Sequence, residues 1–294
     1  MSLLLKLGLV LAVGYVLIVA ILYYTQTGLL FPESLARRYG MPEPAGAEVL
    51  KLQSGDGDEL TGLLFRADRP GAALVIGFGG NAQNAQELAV YLADVMPPGH
   101  HVAVFHYRGY YPSGGTPSER ALLADSLLIH DALVERLQPS ATYGVGFSLG
   151  SSVAAYLSSR RPLAGLVLVT PFDSIVALAR MHYFWVPVGL LLRHHFRSDL
   201  FMTGNPTPTA VIAAGRDTVV PPTRTQALAA VVDNLVFNRI LPDASHAIPL
   251  YDPVFAETLL DALAAVERAA RDRRPAAVPL PPATPEAQPS ATAG

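Results

Sequence analysis

Three side chains in this sequence have the types and the chain order needed to activate a nucleophile: Ser148, Asp217 and His246. A serine hydroxyl attacks a carbonyl carbon when a neighbouring base removes its proton, and a histidine base needs a carboxylate to orient it. Ser148 is the centre of residues 146–150, a G-x-S-x-G pattern whose glycines permit a tight turn that exposes the serine oxygen. These residues predict the nucleophile, base and acid of acyl-transfer chemistry.

The segments around these residues place each of them after a strand. Apolar segments predicted to be strands precede the serine, the aspartate and the histidine in turn, at residues 141–145, 210–214 and 236–241. A helix is predicted from residue 151 to 159, directly after the serine. Asp217 alone could be a turn residue and His246 a surface histidine, and Asp243 competes for the role of the acid. The shared context favours the functional interpretation of all three together.

A glycine-rich loop after an earlier predicted strand, residues 72–76, supplies a site for a developing oxyanion. Gly79 and Gly80 leave room for a substrate carbonyl beside the backbone, and the N–H of Asn81 follows them. We expect the N–H groups of Asn81 and Leu149 to form the oxyanion hole. The competing interpretation of this loop is an ordinary strand-to-helix turn.

The pattern of elements that must position these residues is that of an α/β protein. Further strands are predicted at 48–53, 60–66, 101–106 and 163–170, and helices at 85–95 and 119–137. Continuous apolar strands that alternate with helices indicate a mostly parallel sheet with helices on both faces. We assign residues 47–270 to this domain, with a small helical cap inserted at about 173–205, where the alternation is interrupted.

An uncharged apolar segment at residues 7–24 predicts an N-terminal transmembrane helix. We assign residues 1–26 to a membrane anchor and 27–46 to an irregular juxtamembrane segment. A cleaved signal peptide and a buried helix are the alternatives, although Tyr23 and Tyr24 suit a membrane interface and no small-residue cleavage site follows them. Lys6 favours a catalytic domain outside the cytoplasm, whereas Arg37 and Arg38 oppose that orientation.

The composition of the chain bears on its C-terminal segment, its partners and its chemistry. Residues 271–294 are rich in proline and alanine and are predicted to be a disordered tail. The formal net charge is −3 and there is no extended basic block, so a nucleic-acid partner is not expected. The chain contains no cysteine, which excludes disulfides, thiolate metal sites and a cysteine nucleophile.

Histidines in the predicted cap raise the question of a metal. His194 and His195 are adjacent and would point to different faces of a helix. His195 has the i, i+4 spacing that places two ligands on one helix face only with Asp199, and two ligands make a weak metal site. A polar-rimmed cap, which also contains His182, explains them better than a metal site. Arg108, in the loop after the strand at 101–106, could bind an anionic head group, but an anchoring role for neighbouring loops is favoured.

Beyond these residues, the chain resembles a membrane-anchored branch of the α/β-hydrolase superfamily that includes eukaryotic protein depalmitoylases and many bacterial proteins. The similarity runs from the anchor to about residue 265 and rests on two loops besides the serine turn. The matching residues are Gly80, Asn81, Ala82 and Asn84 in the first loop, and Tyr107, Arg108, Gly109, Tyr110, Ser113, Gly115, Pro117, Ser118 and Glu119 in the second. The resemblance implies the α/β-hydrolase fold and hydrolysis of an ester or thioester without metal or organic cofactor.

The chain departs from that branch at Gly79, where a histidine is usual, at His106, where an aspartate is usual, and at Tyr111, where a glycine is usual. We predict a membrane-anchored serine hydrolase that acts on a small-molecule or lipid-like acyl substrate. A catalytically silent binding protein of the same fold and a serine peptidase are the alternative hypotheses.

Overall fold

The computed structural model describes residues 2–37 and 41–273. Its centre is an eight-stranded sheet with the strand order β1-β2-β4-β3-β5-β6-β7-β8. The strands are β1 (Ala47–Gln53), β2 (Glu59–Phe65), β3 (Ala73–Phe78), β4 (His100–Phe105), β5 (Thr142–Phe147), β6 (Gly165–Val169), β7 (Thr209–Ala214) and β8 (Leu235–Leu241). β1 and β2 pair antiparallel, as do β2 and β4, and the other neighbouring pairs are parallel. The predicted mostly parallel sheet is confirmed.

Helices cover both faces of the sheet. In chain order the helices are α1 (Leu3–Leu30), α2 (Glu33–Ala36), α3 (Ala85–Val95), α4 (Glu119–Leu137), α5 (Leu149–Arg160), α6 (Ile175–His182), α7 (Val188–Leu191), α8 (Ser198–Met202), α9 (Pro222–Ala229) and α10 (Pro253–Arg273). α3 and α10 pack against one face, where Leu92 and Leu259 are fully buried. α4, α5 and α9 pack against the other, where Leu133, Val153 and Leu228 are buried. A parallel sheet covered in this way places the carboxyl ends of β3 to β8 at one edge.

The N-terminal helix is longer than predicted. It continues without a break to Leu30, so residues 27–30 are helical and not an irregular juxtamembrane stretch, and α2 adds a further turn. No proline precedes Pro32 in the chain, and Pro32 disfavours helical backbone at the preceding Phe31. By length and composition, this N-terminal helical region is apolar enough to cross a membrane.

The serine turn is tighter than predicted. β5 extends to Phe147 and α5 begins at Leu149, so the predicted boundaries at 145 and 151 are both wrong. Ser148 alone makes the turn between the strand and the helix, which the pattern of apolar residues does not reveal.

The interruption at 173–205 contains the short helices α6, α7 and α8, as expected for a small cap. At the other end of the domain, α10 extends to Arg273, three residues past the predicted boundary. The rest of the predicted tail, residues 274–294, lies outside the described residues.

Candidate active site

Ser148 has a strained backbone, with φ of 47° and ψ of −115°. Such a conformation costs on the order of 1–3 kcal/mol and persists only where neighbouring groups hold it. The N–H of Ser148 donates to the carbonyl of Val169 at 2.9 Å, which ties the turn to the end of β6. The Ser148 carbonyl accepts the N–H of Ser151 at 2.9 Å. The turn therefore projects the serine side chain from the carboxyl edge of the sheet.

Both glycines of the 146–150 pattern are required by close backbone contacts. A Cβ atom at Gly146 would lie 2.5 Å from the carbonyl oxygen of Gly150. A Cβ atom at Gly150 would overlap the carbonyl oxygen of Phe78 and lie 2.5 Å from that of Gly79. Since these neighbours are backbone atoms, they cannot move aside as a flexible side chain would. The spacing of the motif thus follows from how tightly α5 approaches the end of β3.

The three side chains predicted to act together lie in one hydrogen-bonded row. Ser148 Oγ is 2.8 Å from His246 Nε2, and His246 Nδ1 is 2.7 Å from Asp217 Oδ2. A carboxylate can only accept, so Nδ1 carries the proton and Nε2 is left as the acceptor for the serine hydroxyl. This arrangement allows the imidazole to remove the serine proton.

The Asp217 carboxylate is fixed by its own loop. Its Oδ1 accepts the N–H groups of Val219 at 2.9 Å and Val220 at 2.7 Å, while Oδ2 contacts His246. The side chain of Asp217 is only 1% exposed. Asp243, the alternative acid, is 83% exposed and bonds Arg216 at 2.5 Å, so it is not the carboxylate that contacts the histidine.

Leu149 and the loop that contains Asn81, the two predicted sources of oxyanion donors, both adjoin the serine. Leu149 is the first residue of α5, and the loop that contains Asn81 passes beside Ser148, since a Cβ atom at Gly80 would lie 3.6 Å from the serine Cβ. Within the described part of the chain, neither the N–H of Leu149 nor that of Asn81 donates to another protein atom. The N–H of Gly80, by contrast, donates to Gln83 Oε1 at 2.9 Å.

Two tyrosines hold this loop, a role that the sequence alone does not assign to them. Tyr107 donates its hydroxyl to the Gly79 carbonyl at 2.6 Å, and Tyr110 donates to the Asn81 carbonyl at 2.7 Å. Burial raises the pKa of both phenols above the usual range, so both remain protonated donors. Both tyrosines match the second loop of the family pattern, which is the only sequence feature that indicates a role for them. That pattern does not say which groups their hydroxyls bind.

The loop is also tied to the N-terminal segment. The side-chain amide of Asn81 donates to the carbonyl of Leu30 at 3.0 Å, and that of Asn84 donates to the carbonyl of Ala36 at 2.8 Å. Asn84 Oδ1 caps α3 by accepting the N–H of Glu87 at 3.0 Å. Asn81 thus connects the end of α1, and Asn84 connects α2, to the loop beside Ser148.

Arg108 lies buried among carboxylates of two separate segments. It contacts Asp125 through Nη2 at 2.5 Å and Nε at 3.1 Å, and Asp56 through Nη1 at 2.6 Å. The hydrogen bond and charge of Arg108 lower the pKa of Asp56, whereas burial raises the pKa of Asp125. With its guanidinium engaged in this way, Arg108 joins the second loop to the β1–β2 turn and to α4.

The cap histidines make protein contacts. The ring nitrogens of His194 lie 3.0 Å from Thr27 Oγ1 and 3.3 Å from the N–H of Glu119, and burial lowers its pKa. The N–H of His195 donates to the Glu119 carboxylate at 2.6 Å. His182 approaches the carbonyl of Val219 at 3.4 Å, in the loop that holds Asp217.

The three departures from the family pattern occupy different environments. A Cβ atom at Gly79 would have only ordinary contacts, the nearest being Gln83 Oε1 at 3.4 Å. His106 is buried, and burial lowers its pKa to about 4, so its imidazole is neutral at pH 7. Tyr111 is 61% exposed. All three leave Ser148, His246 and Asp217 in hydrogen-bond contact.

Comparison with known proteins gives relatives in sequence and in structure, although no protein-family model matches the chain. An uncharacterized protein of Mycobacterium tuberculosis is 33% identical over 226 residues, which cover 75% of this chain and 78% of that protein. Lysophosphatidylserine lipase ABHD12 of Danio rerio is 33% identical over 141 residues. That match covers 42% of this chain and only 37% of the lipase.

Among solved structures, an alpha-beta hydrolase of Vibrio vulnificus superposes with a TM-score of 0.65 at 19% identity, covering 81% of this chain and 92% of that one. An esterase of Pyrococcus furiosus superposes with a TM-score of 0.59 at 17% identity, covering 82% and 93%. At these identities the likeness concerns the fold, and it confirms the predicted fold class.

Proposed function

This chain belongs to the α/β-hydrolase superfamily, and we propose that it is a membrane-anchored serine hydrolase that cleaves carboxylic ester or thioester bonds. The observation that carries the proposal is the pair of hydrogen bonds that join Ser148 to His246 and His246 to Asp217. Residues from three distant loops form this row at the edge of the sheet where ligands of α/β proteins bind.

In the proposed reaction, His246 Nε2 removes the hydroxyl proton as Ser148 Oγ attacks the substrate carbonyl. Asp217 keeps the imidazole oriented and stabilises the imidazolium that forms. The carbonyl oxygen becomes an oxyanion, which accepts hydrogen bonds from the N–H groups of Leu149 and Asn81. His246 then gives its proton to the leaving alcohol or thiol, and an acyl-enzyme on Ser148 remains.

Hydrolysis of the acyl-enzyme uses the same groups. His246 removes a proton from water, the hydroxide attacks the acyl carbonyl, and the proton returns to Ser148 Oγ as the carboxylic acid leaves. Each proton that is taken is returned within the cycle. These residues therefore complete the reaction in our proposal without a metal or organic cofactor.

We propose that α1 anchors the enzyme in a membrane. Its 28 residues extend over about 42 Å, which exceeds a hydrocarbon core of about 30 Å. Lys6 is its single charged residue, and most of its side chains are exposed to the surroundings of the protein. Lys6 favours a catalytic domain outside the cytoplasm, whereas Arg37 and Arg38 oppose it, and of the two orientations we propose the first.

An anchored enzyme with an apolar cap suits substrates that contain an acyl chain. The similarity to a lysophosphatidylserine lipase supports a lipid-like ester as the substrate. Because the match covers only part of that lipase, we do not extend its particular head group to this chain. Exposed Phe184, Trp185 and Leu190 on the cap favour contact with lipid over contact with a soluble peptide.

The test is hydrolysis by the purified full chain of p-nitrophenyl esters and acyl thioesters. We expect turnover by the wild type and a loss of at least about 10³-fold in kcat for Ser148→Ala. Ser152→Ala is the matched control, because Ser152 is a buried serine of the same helix region whose hydroxyl makes no hydrogen bond in the described residues. Equal activity in Ser148→Ala and the wild type would contradict the proposal, as would peptide hydrolysis without ester hydrolysis.

A further inference from the structure

An apolar cavity of about 220 Å³ lies between the C-terminal half of α1 and the cap. Val19, Leu22 and Leu30 line it from α1, and Ala179 and Val186 line it from the cap. We infer that this cavity holds the acyl chain of a membrane lipid during hydrolysis. The anchor helix then forms one wall of the substrate site in addition to tethering the enzyme. Naming the occupant a substrate rests on the proposed function.

Polar contacts fix the helix against the cap and so define the cavity wall. Gln26 donates to the carbonyl of Leu191 at 3.1 Å and accepts the N–H of Arg193 at 2.8 Å. Thr27 contacts the ring of His194 at 3.0 Å. Hydrogen bonds in apolar surroundings are costly to leave unmade, so these contacts hold α1 in one position.

The inner end of the cavity reaches Leu30, which contacts the loop beside Ser148. Leu30 lines the cavity, and its carbonyl accepts the side-chain amide of Asn81 at 3.0 Å. The neighbouring Gly80 lies against Ser148, because a Cβ atom at Gly80 would be 3.6 Å from the serine Cβ. A chain in the cavity would therefore end close to the loop that receives the substrate carbonyl.

Val19 lines the outer end of the cavity, about one helical turn from Tyr15, so Tyr15 indicates the depth of that end in the bilayer. Tyr15 donates its hydroxyl to the carbonyl of Trp185 at 3.0 Å, and the two rings meet edge to face at 6.1 Å. If the membrane span of about 20 residues begins at Leu3, it ends near Leu22, and Tyr15 lies about 10 Å inside that end. The cap tip at Trp185 must then enter the leaflet.

The exposed apolar side chains near Trp185 are consistent with entry of the cap tip into the leaflet. Phe184 is 84% exposed and Leu190 is 87% exposed. Apolar side chains of interfacial segments are buried about 5–10 Å into the boundary of head groups and acyl chains. The cavity therefore opens among lipid chains, which identifies the acyl chain of a leaflet lipid as its occupant.

This arrangement predicts a dependence of hydrolysis on chain length. Each methylene that enters the cavity raises kcat/KM by up to about fourfold, until the cavity is full. We would measure kcat/KM of the full chain in mixed micelles for p-nitrophenyl butyrate, octanoate and dodecanoate. The ratio of the dodecanoate to the butyrate value isolates the contribution of the cavity from that of the catalytic groups.

Variants that fill the cavity from either wall should lower this ratio. We expect a decrease of at least about tenfold for Leu22→Trp and for Ala179→Phe. Ile21→Trp is the control, because Ile21 is the adjacent residue of α1, is 61% exposed and does not line the cavity. Ratios equal to that of the wild type in both filled variants would overturn the inference, and fluorophosphonate labelling reports whether each variant retains a folded site.

A binding measurement separates this inference from the proposed function. The full-length Ser148→Ala protein would be cross-linked with palmitic acid that carries a diazirine, with and without excess unlabelled palmitate. If unlabelled palmitate prevents adducts on the cavity residues but the wild type hydrolyses no ester, the acyl site is retained and the proposed function is rejected. If the wild type hydrolyses esters but the adducts lie outside the cavity, the proposed function is retained and the acyl site is overturned.

Discussion

Ser148 Oγ lies 2.8 Å from His246 Nε2, although the two residues are 98 positions apart in the chain. The parallel sheet explains this proximity, because β5 and β8 end at the same edge and each is followed at once by the loop that carries one of these residues. The strained turn at Ser148 then directs the hydroxyl towards the imidazole. The geometry on which the proposed chemistry depends is therefore a direct consequence of the fold.

The hydrogen bond from His246 to Asp217 gives the first prediction. Asp217→Asn preserves the size of the side chain but disfavours the required tautomer of the histidine, so we expect kcat to fall by roughly 10³–10⁴-fold with ester substrates. Asp243→Asn is the control, since its carboxylate is 83% exposed and pairs only with Arg216 in the described structure. A comparable loss in both variants, or none in Asp217→Asn, would refute the assigned role.

The tyrosine hydroxyls that hold the glycine-rich loop give the second prediction. Tyr107→Phe and Tyr110→Phe each leave a loop carbonyl without its donor, which misplaces the Asn81 N–H. We expect kcat to fall by about tenfold for each, with a smaller change in KM, because the oxyanion forms only during the reaction. Tyr111→Phe, at a residue that is 61% exposed, should have wild-type kinetics. A rise in KM alone would count against a positioning role.

The glycines of the site give the third prediction. Gly150→Ala places a Cβ atom against backbone oxygens of Phe78 and Gly79, and overpacking of this kind costs about 1–3 kcal/mol or more. Gly79→Ala adds only contacts of 3.4 Å or longer and should be tolerated. Thermal unfolding and fluorophosphonate labelling of the two variants would be compared. Greater damage from Gly79→Ala than from Gly150→Ala would contradict the described packing.

The buried histidine in the second loop gives the fourth prediction. Burial lowers the pKa of His106 to about 4, below the usual 6.5, so the unfolded chain binds a proton at this residue more readily than the folded chain. The stabilisation is therefore present above pH 6.5 and is lost as the pH falls towards 4. From pH 7 to pH 5, His106 alone should lower the free energy of unfolding by about 2 kcal/mol.

Denaturant unfolding at the two pH values, on wild type and His106→Gln, measures this contribution. Burial also lowers the pKa of His101 and His194, so part of the pH dependence should persist in the variant. An equal loss of stability in the two proteins would show that His106 does not contribute.

Much of the fold was predictable because its signals are local. The helices at 85–95 and 119–137 begin and end where they were predicted, since Asn84 and Ser118 are strong N-caps and the apolar strands around them are distinct. The order of Ser148, Asp217 and His246 was predictable for the same reason, because each follows an apolar strand.

The remaining features depend on contacts between distant segments. The end of α1 at Leu30 depends on the chain that follows it, and its docking on the cap depends on Gln26 and Thr27 meeting residues more than 160 positions away. The support of the loop by Tyr107 and Tyr110 likewise joins β4 to β3 through side chains. No periodicity or spacing in a single sequence encodes such pairs.

The central claim is that Ser148 is an activated nucleophile, and covalent labelling tests it most directly. The full-length protein would be treated with a fluorophosphonate probe, and the modified residue identified by mass spectrometry. The account predicts one adduct, on Ser148, in the wild type and in Ser152→Ala, and none in Ser148→Ala. An unlabelled wild type, or equal labelling of Ser148→Ala, would contradict it.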